Sequence, residues 1–564
     1  MRSCQKILLL LVIITIAPAT NLFSQVLPDS TIKKIDNLFK AWDKTNTPGC
    51  AVGIVRNDSL IFAKGYGMAN LEYGIPITPE TIFHMASVSK QFTAYSIVLL
   101  AQQGKLQLDD DIHKYLAWFP DLKEKITIRN LLNHTSGIRD QWQLLAISGT
   151  RLDDVITQDH IIKILSKQQA LNFKPGAQNS YSNSGFTMLA EIVRSITGQS
   201  LRQFTDSAIF KPLGMNNTHF HDDYTEIVPN RSYSYSYDVR GLTHYANSIL
   251  SYATVGATSL FTNINDMSKW LMNFYDHKVG DQQDIALLTE KAKLSNGKEL
   301  TYASGIVSDK YKGWQQFSHG GSDAGYRTFV TVLPGLKMGF IVFSNLGVIN
   351  PGDKAYEIAD LFIRDSSKPA AAMLPVKPNI SMAIVKDTTR IKEYMGDYMS
   401  EDGVRFSYNL QHQTVFWKFP GNFHLLVKAG ADTFFSFNDP TVTFVFSKAS
   451  GQWVVNEYWP GDSRLLVKYV ADTSQPDDLL QQYTGVFYCP ELDCTYGIAL
   501  KNHHLVLTND KYNDAPLALA GANDLFSDTW WMSHLKVLRN SKKQIKGFEV
   551  NSGRVMHLLF NKIE

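Results

Sequence analysis

Apolar residues recur at i, i+3 and i+4 through 30–44, where Ile32, Ile35, Leu38, Phe39 and Trp42 form one stripe and predict an amphipathic helix. Two short apolar runs, 50–56 and 60–64, flank Asn57-Asp58-Ser59 and predict a hairpin. Helical patterns and Gly/Pro loops then alternate to about residue 310. Residues 315–319, 327–333 and 337–345 read as three successive strands, and 354–364 as a closing helix. Strands at both ends of this region with helices between them predict one α+β domain over 26–365, an antiparallel sheet flanked by helices with a helical subdomain.

The pattern changes after a Ser/Lys/Pro/Ala stretch that begins Ser366-Ser367-Lys368-Pro369, read as a linker over 366–384. Few contacts are expected to cross such a boundary, so the part before it should fold alone. Beyond it come short alternating strands with almost no helical period. Tyr394-x-Gly396-x-Tyr398 recurs as Tyr483-x-Gly485-x-Phe487, and Asp432-Thr433-Phe434 as Asp524-Leu525-Phe526. Two small all-β, barrel-like domains follow from this repeat, 385–472 and 473–564, because closure removes exposed sheet edges.

The 564 residues are enough for three to four domains at about 150 residues each. At 44% apolar and 19% charged they can bury large cores, which excludes a disordered chain, a coiled coil or a collagen-like fibre. The formal net charge is +2, and it falls to zero without Arg2 and Lys6. No electrostatic footprint for nucleic acid exists. Arg2 and Lys6 precede a short apolar run, 7–17, and the small residues Ala17-Pro18-Ala19; residues 1–25 read as a signal peptide. The expectation is a periplasmic or secreted protein with no integral membrane segment after signal removal. Of the cysteines beyond the leader, Cys50 opens an apolar strand and is expected as a buried free thiol. Cys489 and Cys494 flank a turn and are spaced to bridge in an oxidising compartment.

Chemistry concentrates in three places. Ser87-Val88-Ser89-Lys90 begins an apolar helix over 88–103 that ends at Gly104. A Lys three residues into a helix faces the positive end of the dipole and a buried core, and both favour the neutral amine. It also lies one turn from Ser87 on the same face, and a neutral amine beside a hydroxyl is an activated nucleophile. Tyr181-Ser182-Asn183 immediately precedes a helix over 186–197 stopped by Gly198. His319-Gly320-Gly321 ends a strand, and its glycines are expected to let a substrate backbone lie close. A fourth segment, His219-Phe220-His221-Asp222-Asp223, is a near miss for a zinc-ligand run and reads as a polar surface loop, so no metal or other cofactor is expected.

Ser87-x-x-Lys90, Tyr181-x-Asn183 and His319-x-Gly321, in that order, resemble the three motifs of serine β-lactamases and penicillin-binding proteins. The resemblance is nearest to the class C-like branch of D-aminopeptidases, DD-carboxypeptidases and esterases. Leu131-Leu132-Asn133-His134-Thr135-Ser136-Gly137-Ile138, Phe173-x-Pro175-Gly176 and Pro212-Leu213-Gly214-Met215 support it. It implies Ser87 as acyl-accepting nucleophile, Lys90 and Tyr181 as the proton-handling pair, and Asn183, His319 and Gly321 at the substrate. The oxyanion hole would be the backbone N–H groups of Ser87 and Ser322. Ser89 and His134 receive no chemistry.

The implied protein is a serine hydrolase that acts on amide or ester bonds of a small molecule or short peptide. The alternative is a weakly catalytic penicillin-binding or peptidoglycan-sensing protein. One departure matters: many relatives carry Lys where His319 stands. A neutral imidazole offers a substrate carboxylate no permanent cation, so carboxylate-bearing substrates are expected to lose more than simple esters or D-amino amides.

Overall fold

Strand β1 (Cys50–Arg56) is apolar along almost its whole length because both of its faces are covered. Cys50, Val52 and Ile54 point into one core with Ile35 and Phe39 of helix α1 (Asp29–Phe39). Ala51 and Val55 point into the other. The structure is a computed structural model that describes residues 27–238, 241–363, 383–400, 405–419, 422–436, 442–459, 462–469 and 475–563. The leader (1–25) and nearly all of the linker (366–384) lie outside the described residues.

The hairpin partner β2 (Ser59–Tyr66) forms one edge of a six-stranded antiparallel sheet. The other members are β3 (Val307–Tyr311), β4 (Trp314–Asp323), β5 (Tyr326–Leu333) and β6 (Met338–Ser344), in the order β3-β4-β5-β6-β1-β2. The predicted strand at 315–319 continues four residues further, to Asp323. Between β2 and β3 lie helix α2 (Lys90–Gln102), helix α3 (Asn183–Thr197) and helix α4 (Ile264–Asp276). Residues Lys90 to Leu100 of α2 are all buried, so this helix is the axis of the domain. Helix α5 (Pro351–Ala359) closes the sheet beside α1.

Two closed eight-stranded antiparallel barrels follow, the first running from Gly396–Ser400 to Asp462–Tyr469 and the second from Gly485–Cys489 to Val555–Lys562. The sequence repeat is structural. Gly396 and Gly485 open the first strand of each barrel, and Thr433–Ser436 and Asp524–Ser527 are each a fifth strand. Cys489 and Cys494 pair across a hairpin with both thiols free, and burial pushes the Cys50 thiol up to about 12.

The first barrel has its own aromatic core, built around Tyr398, Tyr408 and Phe446. The second barrel does not stand apart. Its Tyr483, Phe487, Tyr496 and Phe548 belong to the same continuous core as α2 and α3. Arg139 is 1% exposed and ion-paired to Glu491 at 2.6 Å, and it also donates to the carbonyls of Met556 and His557. Tyr496 and Tyr512 donate to the carbonyls of Ile147 and Ala146. The expectation of few contacts beyond the linker fails for this barrel: the apolar surface of one domain and the polar groups of the other are each other's partners.

Candidate active site

The backbone just before Ser87 is strained. Ala86 has φ +49°, the left-handed region, which costs a non-glycine residue about 1–3 kcal/mol and persists only where its surroundings enforce it. Three contacts do so. Ala86 N–H donates to His84 Nδ1 (3.1 Å), Ser89 Oγ donates to Ala86 O (2.6 Å), and Thr328 Oγ1 donates to Met85 O (2.8 Å). Ser89, which has no place in the chemistry, also accepts from Leu260 N–H (3.0 Å) and so fastens the turn. The first turn of the predicted helix is a 3-10 turn, Ala86–Ser89, which leads into α2 at Lys90.

Gly321 explains how β4 comes alongside. A Cβ there would sit 2.3 Å from Met85 O and 3.1 Å from Ala86 Cβ. The glycine makes room for the nucleophile turn, a role the sequence reading did not give it. Gly320 has no such neighbour; its nearest atoms would be 3.7 Å away.

Lys90 is wholly buried, with Nζ 3.1 Å from Ser87 Oγ. It donates to Asn183 Oδ1 (2.9 Å) and to Ala257 O (2.7 Å). Burial brings its pKa down to about 7; Asp323 and Asp140 pull the other way, and Arg554 acts with the burial. A neutral amine has two N–H groups, and both are taken by these acceptors. The lone pair is left facing the Ser87 hydroxyl.

Tyr181 OH donates to Ser87 Oγ at 2.8 Å, and Lys90 Nζ lies 4.9 Å from the centre of its ring. Burial raises its pKa, so the phenol stays protonated at neutral pH. Its ring is set by His134, whose centroid lies 4.1 Å away and whose Nδ1 accepts from Ser182 N–H. Asn183 is the first residue of α3, and both of its amide atoms are engaged: Oδ1 by Lys90, and Nδ2 by Asp140 Oδ2 at 2.8 Å. Nδ2 carries a second N–H, and the side chain lines the cavity where the resemblance implies contact with substrate amide.

His319 faces the same cavity. Its Nδ1 lies 2.6 Å from Gly320 O, which fixes the proton there, and its Nε2 then accepts from Tyr302 OH at 3.0 Å. Burial, with the charge of Lys90, lowers it to about 4, so it is neutral as expected. Ser322 lines the cavity beside it, on the stretch of β4 that β3 does not cover.

The cavity holds about 840 Å³ and brings together Ser87, Tyr181, Asn183, His319, Gly321 and Ser322. It also contains residues that sequence reasoning missed: Trp142, Asp323, Arg327, His424 of the first barrel and Arg554 of the second. Asp323 accepts from Thr258 Oγ1, which lies 3.3 Å from His84 Nε2. A hydrogen-bonded chain therefore links this carboxylate to the strained turn. Burial raises Asp323 to about 6. Asp140 lies two residues past the Leu131–Ile138 segment, and its signal in the sequence is that of an N-cap, which it is for the helix Gln141–Ile147.

The His219–Asp223 segment is not a surface loop. His219–Phe220 is a short strand paired with Leu260–Thr262, and the donor atoms of His219, His221 and Glu226 lie within 4.8 Å of one another. The cation at this cluster is Arg202, which donates twice to the Glu226 carboxylate at 2.7 Å.

Comparison with known proteins follows the same lines. Penicillin-binding protein 4* of Bacillus subtilis (strain 168) is 24% identical over 426 residues, 72% of this chain and 91% of that protein. The D-aminopeptidase of Brucella anthropi is 30% identical over 288 residues, 50% of this chain and 52% of that enzyme. The chain thus spans about half the length of the D-aminopeptidases it matches. An octameric penicillin-binding protein homologue from Pyrococcus abyssi has a TM-score of 0.55 at 23% identity, over 78% of this chain and 99% of that one. A D-amino acid amidase from Ochrobactrum anthropi SV3 has a TM-score of 0.51 at 20% identity, over 59% and 99%. Both share the fold. Residues 35–363, more than half of the chain, match the Beta-lactamase family, and the chain belongs to that family as one of its serine hydrolases.

Proposed function

We propose that the protein is an exported serine hydrolase that forms an acyl-enzyme at Ser87 and acts on amide or ester bonds of small D-amino-acid compounds or short peptides. The observation that carries this reading is the commitment of both Lys90 N–H groups to Asn183 Oδ1 and Ala257 O, 3.1 Å from the nucleophile. An amine so held accepts the Ser87 proton as Oγ attacks the carbonyl. The Ser87 and Ser322 backbone N–H groups receive the oxyanion. Tyr181, protonated and 2.8 Å from Oγ, hands a proton to the leaving group and is refilled from Lys90. Water then repeats the sequence on the acyl-enzyme. This scheme needs no cofactor.

The D-amino-acid class is supported by the names of the relatives, D-aminopeptidase among them, and export by the charged, apolar and small-residue order of residues 1–25. A short-chain nitrophenyl ester, D-alanine anilide and a chromogenic cephalosporin, each given to wild type and to Ser87→Ala, form the deciding panel. Turnover of at least one by wild type and of none by Ser87→Ala is expected. Turnover surviving in Ser87→Ala overturns the reading.

A further inference from the structure

Resting on the serine-hydrolase reading, we propose that Arg554, at the tip of a hairpin in the second barrel, is the cation that receives a carboxylate of the substrate. The hairpin joins Ile545–Ser552 to Val555–Lys562 through Gly553-Arg554, with Gly553 in the left-handed region (φ +57°). The tip is fastened into the hydrolase domain by its backbone. Arg554 N–H donates to Gln143 Oε1 (2.8 Å), and Arg554 O accepts from Asn172 Nδ2 (2.9 Å) and from Asp140 N–H (3.2 Å). These three bonds fix where the side chain starts without using any of its own donors.

The guanidinium lies 4.7 Å above the Tyr181 ring, on the wall of the cavity that holds Ser87 and His319. Its side chain is 47% exposed, and its nearest carboxylate oxygen, Asp140 Oδ2, is 3.7 Å away. That oxygen already accepts two hydrogen bonds from Asn183. Among the described residues, the Arg554 guanidinium makes no hydrogen bond; its contacts are the long ion pair to Asp140 and the Tyr181 ring. The charge is permanent and its planar fork matches a carboxylate in two-point geometry.

The other basic groups of the cavity are spoken for: His424 packs against Trp417, and burial holds its pKa below the usual imidazole value. Lys90 is enclosed and bonded to Asn183 and Ala257, and His319 is neutral with both ring nitrogens engaged. Arg327 donates to the carbonyls of Ala324 and Tyr326 and faces Asp323. The permanent cation that sequence reasoning sought in β4 is thus supplied from the opposite wall. It reverses the expectation that carboxylate-bearing substrates lose most.

The test compares a D-alanyl peptide acid with its C-terminal amide. Binding is read by titration calorimetry on Ser87→Ala, alone and combined with Arg554→Gln, Arg554→Lys or Arg327→Gln, with melting curves as a folding control. A charge-assisted bond of this kind sets an acid-over-amide preference of about 10- to 100-fold. Arg554→Gln is expected to remove that preference, and Arg554→Lys to keep part of it. An unchanged preference in Arg554→Gln, or its loss in Arg327→Gln instead, overturns the assignment. Equal weakening of acid and amide also overturns it, because it would place Arg554 in the service of Tyr181. Labelling of Ser87 by a fluorophosphonate in otherwise wild-type protein reports separately on the hydrolase reading.

Discussion

Asp140 Oδ2 accepts two hydrogen bonds from Asn183, one from the backbone N–H and one from Nδ2, each at 2.8 Å. The pair fixes which way the Asn183 amide points. Its oxygen must then face Lys90, and the lysine lone pair must face Ser87. A carboxylate that touches no reacting atom thereby sets the direction of proton transfer.

Ser87→Ala should remove turnover and covalent labelling, a loss of several orders of magnitude, with an unchanged fold. Intact mass after fluorophosphonate treatment and circular dichroism measure the two parts. Lys90→Arg should be nearly as damaging, since a guanidinium keeps its proton.

The pH dependence follows from Lys90 at about 7. Below that pH the amine is protonated and has no lone pair to offer. kcat/KM for an uncharged ester should therefore fall about tenfold per pH unit on the acid side and level off above 7. The Asp323 anion favours the ammonium, so Asp323→Asn lowers the Lys90 pKa further and should move the acid limb to lower pH. A limb that moves upward would contradict this coupling.

Gly321 and Gly320 should separate cleanly. Gly321→Ala drives a Cβ onto Met85 O and displaces the turn that carries the nucleophile. A displacement near 1 Å costs about 10²-fold in rate. Gly320→Ala meets only ordinary contacts and should leave the melting temperature nearly unchanged, which a thermal scan of both variants will show.

Arg139→Met leaves Glu491 buried without its cation. Stability should drop by about 3–5 kcal/mol in urea titrations, and replacing both residues with apolar ones should recover much of it. The same single variant should loosen the second barrel, seen as early protease cleavage between the barrels.

Much of the hydrolase domain was legible because its motifs are local. Ser87 and Lys90 lie one helical turn apart, and Tyr181 and Asn183 sit together where α3 begins. Five of the six strands were legible because the centre of the sheet is covered on both faces, which makes its apolar runs long; the edge strand β3, half exposed and polar, was not. Asp140 was visible only as a cap, since its partner Asn183 is 43 residues away. Arg554 left no signal: the tip it occupies docks beside Asn172, 382 residues earlier, and hairpin turns elsewhere in the barrels have similar composition. The docking of the second barrel was hidden for the same reason. The alternating pattern of a barrel marks which residues are buried, not which neighbour buries them.

The core shared by the second barrel and helices α2 and α3 bears on how the protein comes into being. The nucleophile turn is synthesised long before the strand that follows Arg554. A chain interrupted or clipped after the first barrel would hold Ser87 and Lys90 but lack the wall that covers Tyr181 and the partners of Arg139. The pocket around Ser87 is therefore complete only once the second barrel has been made and has docked.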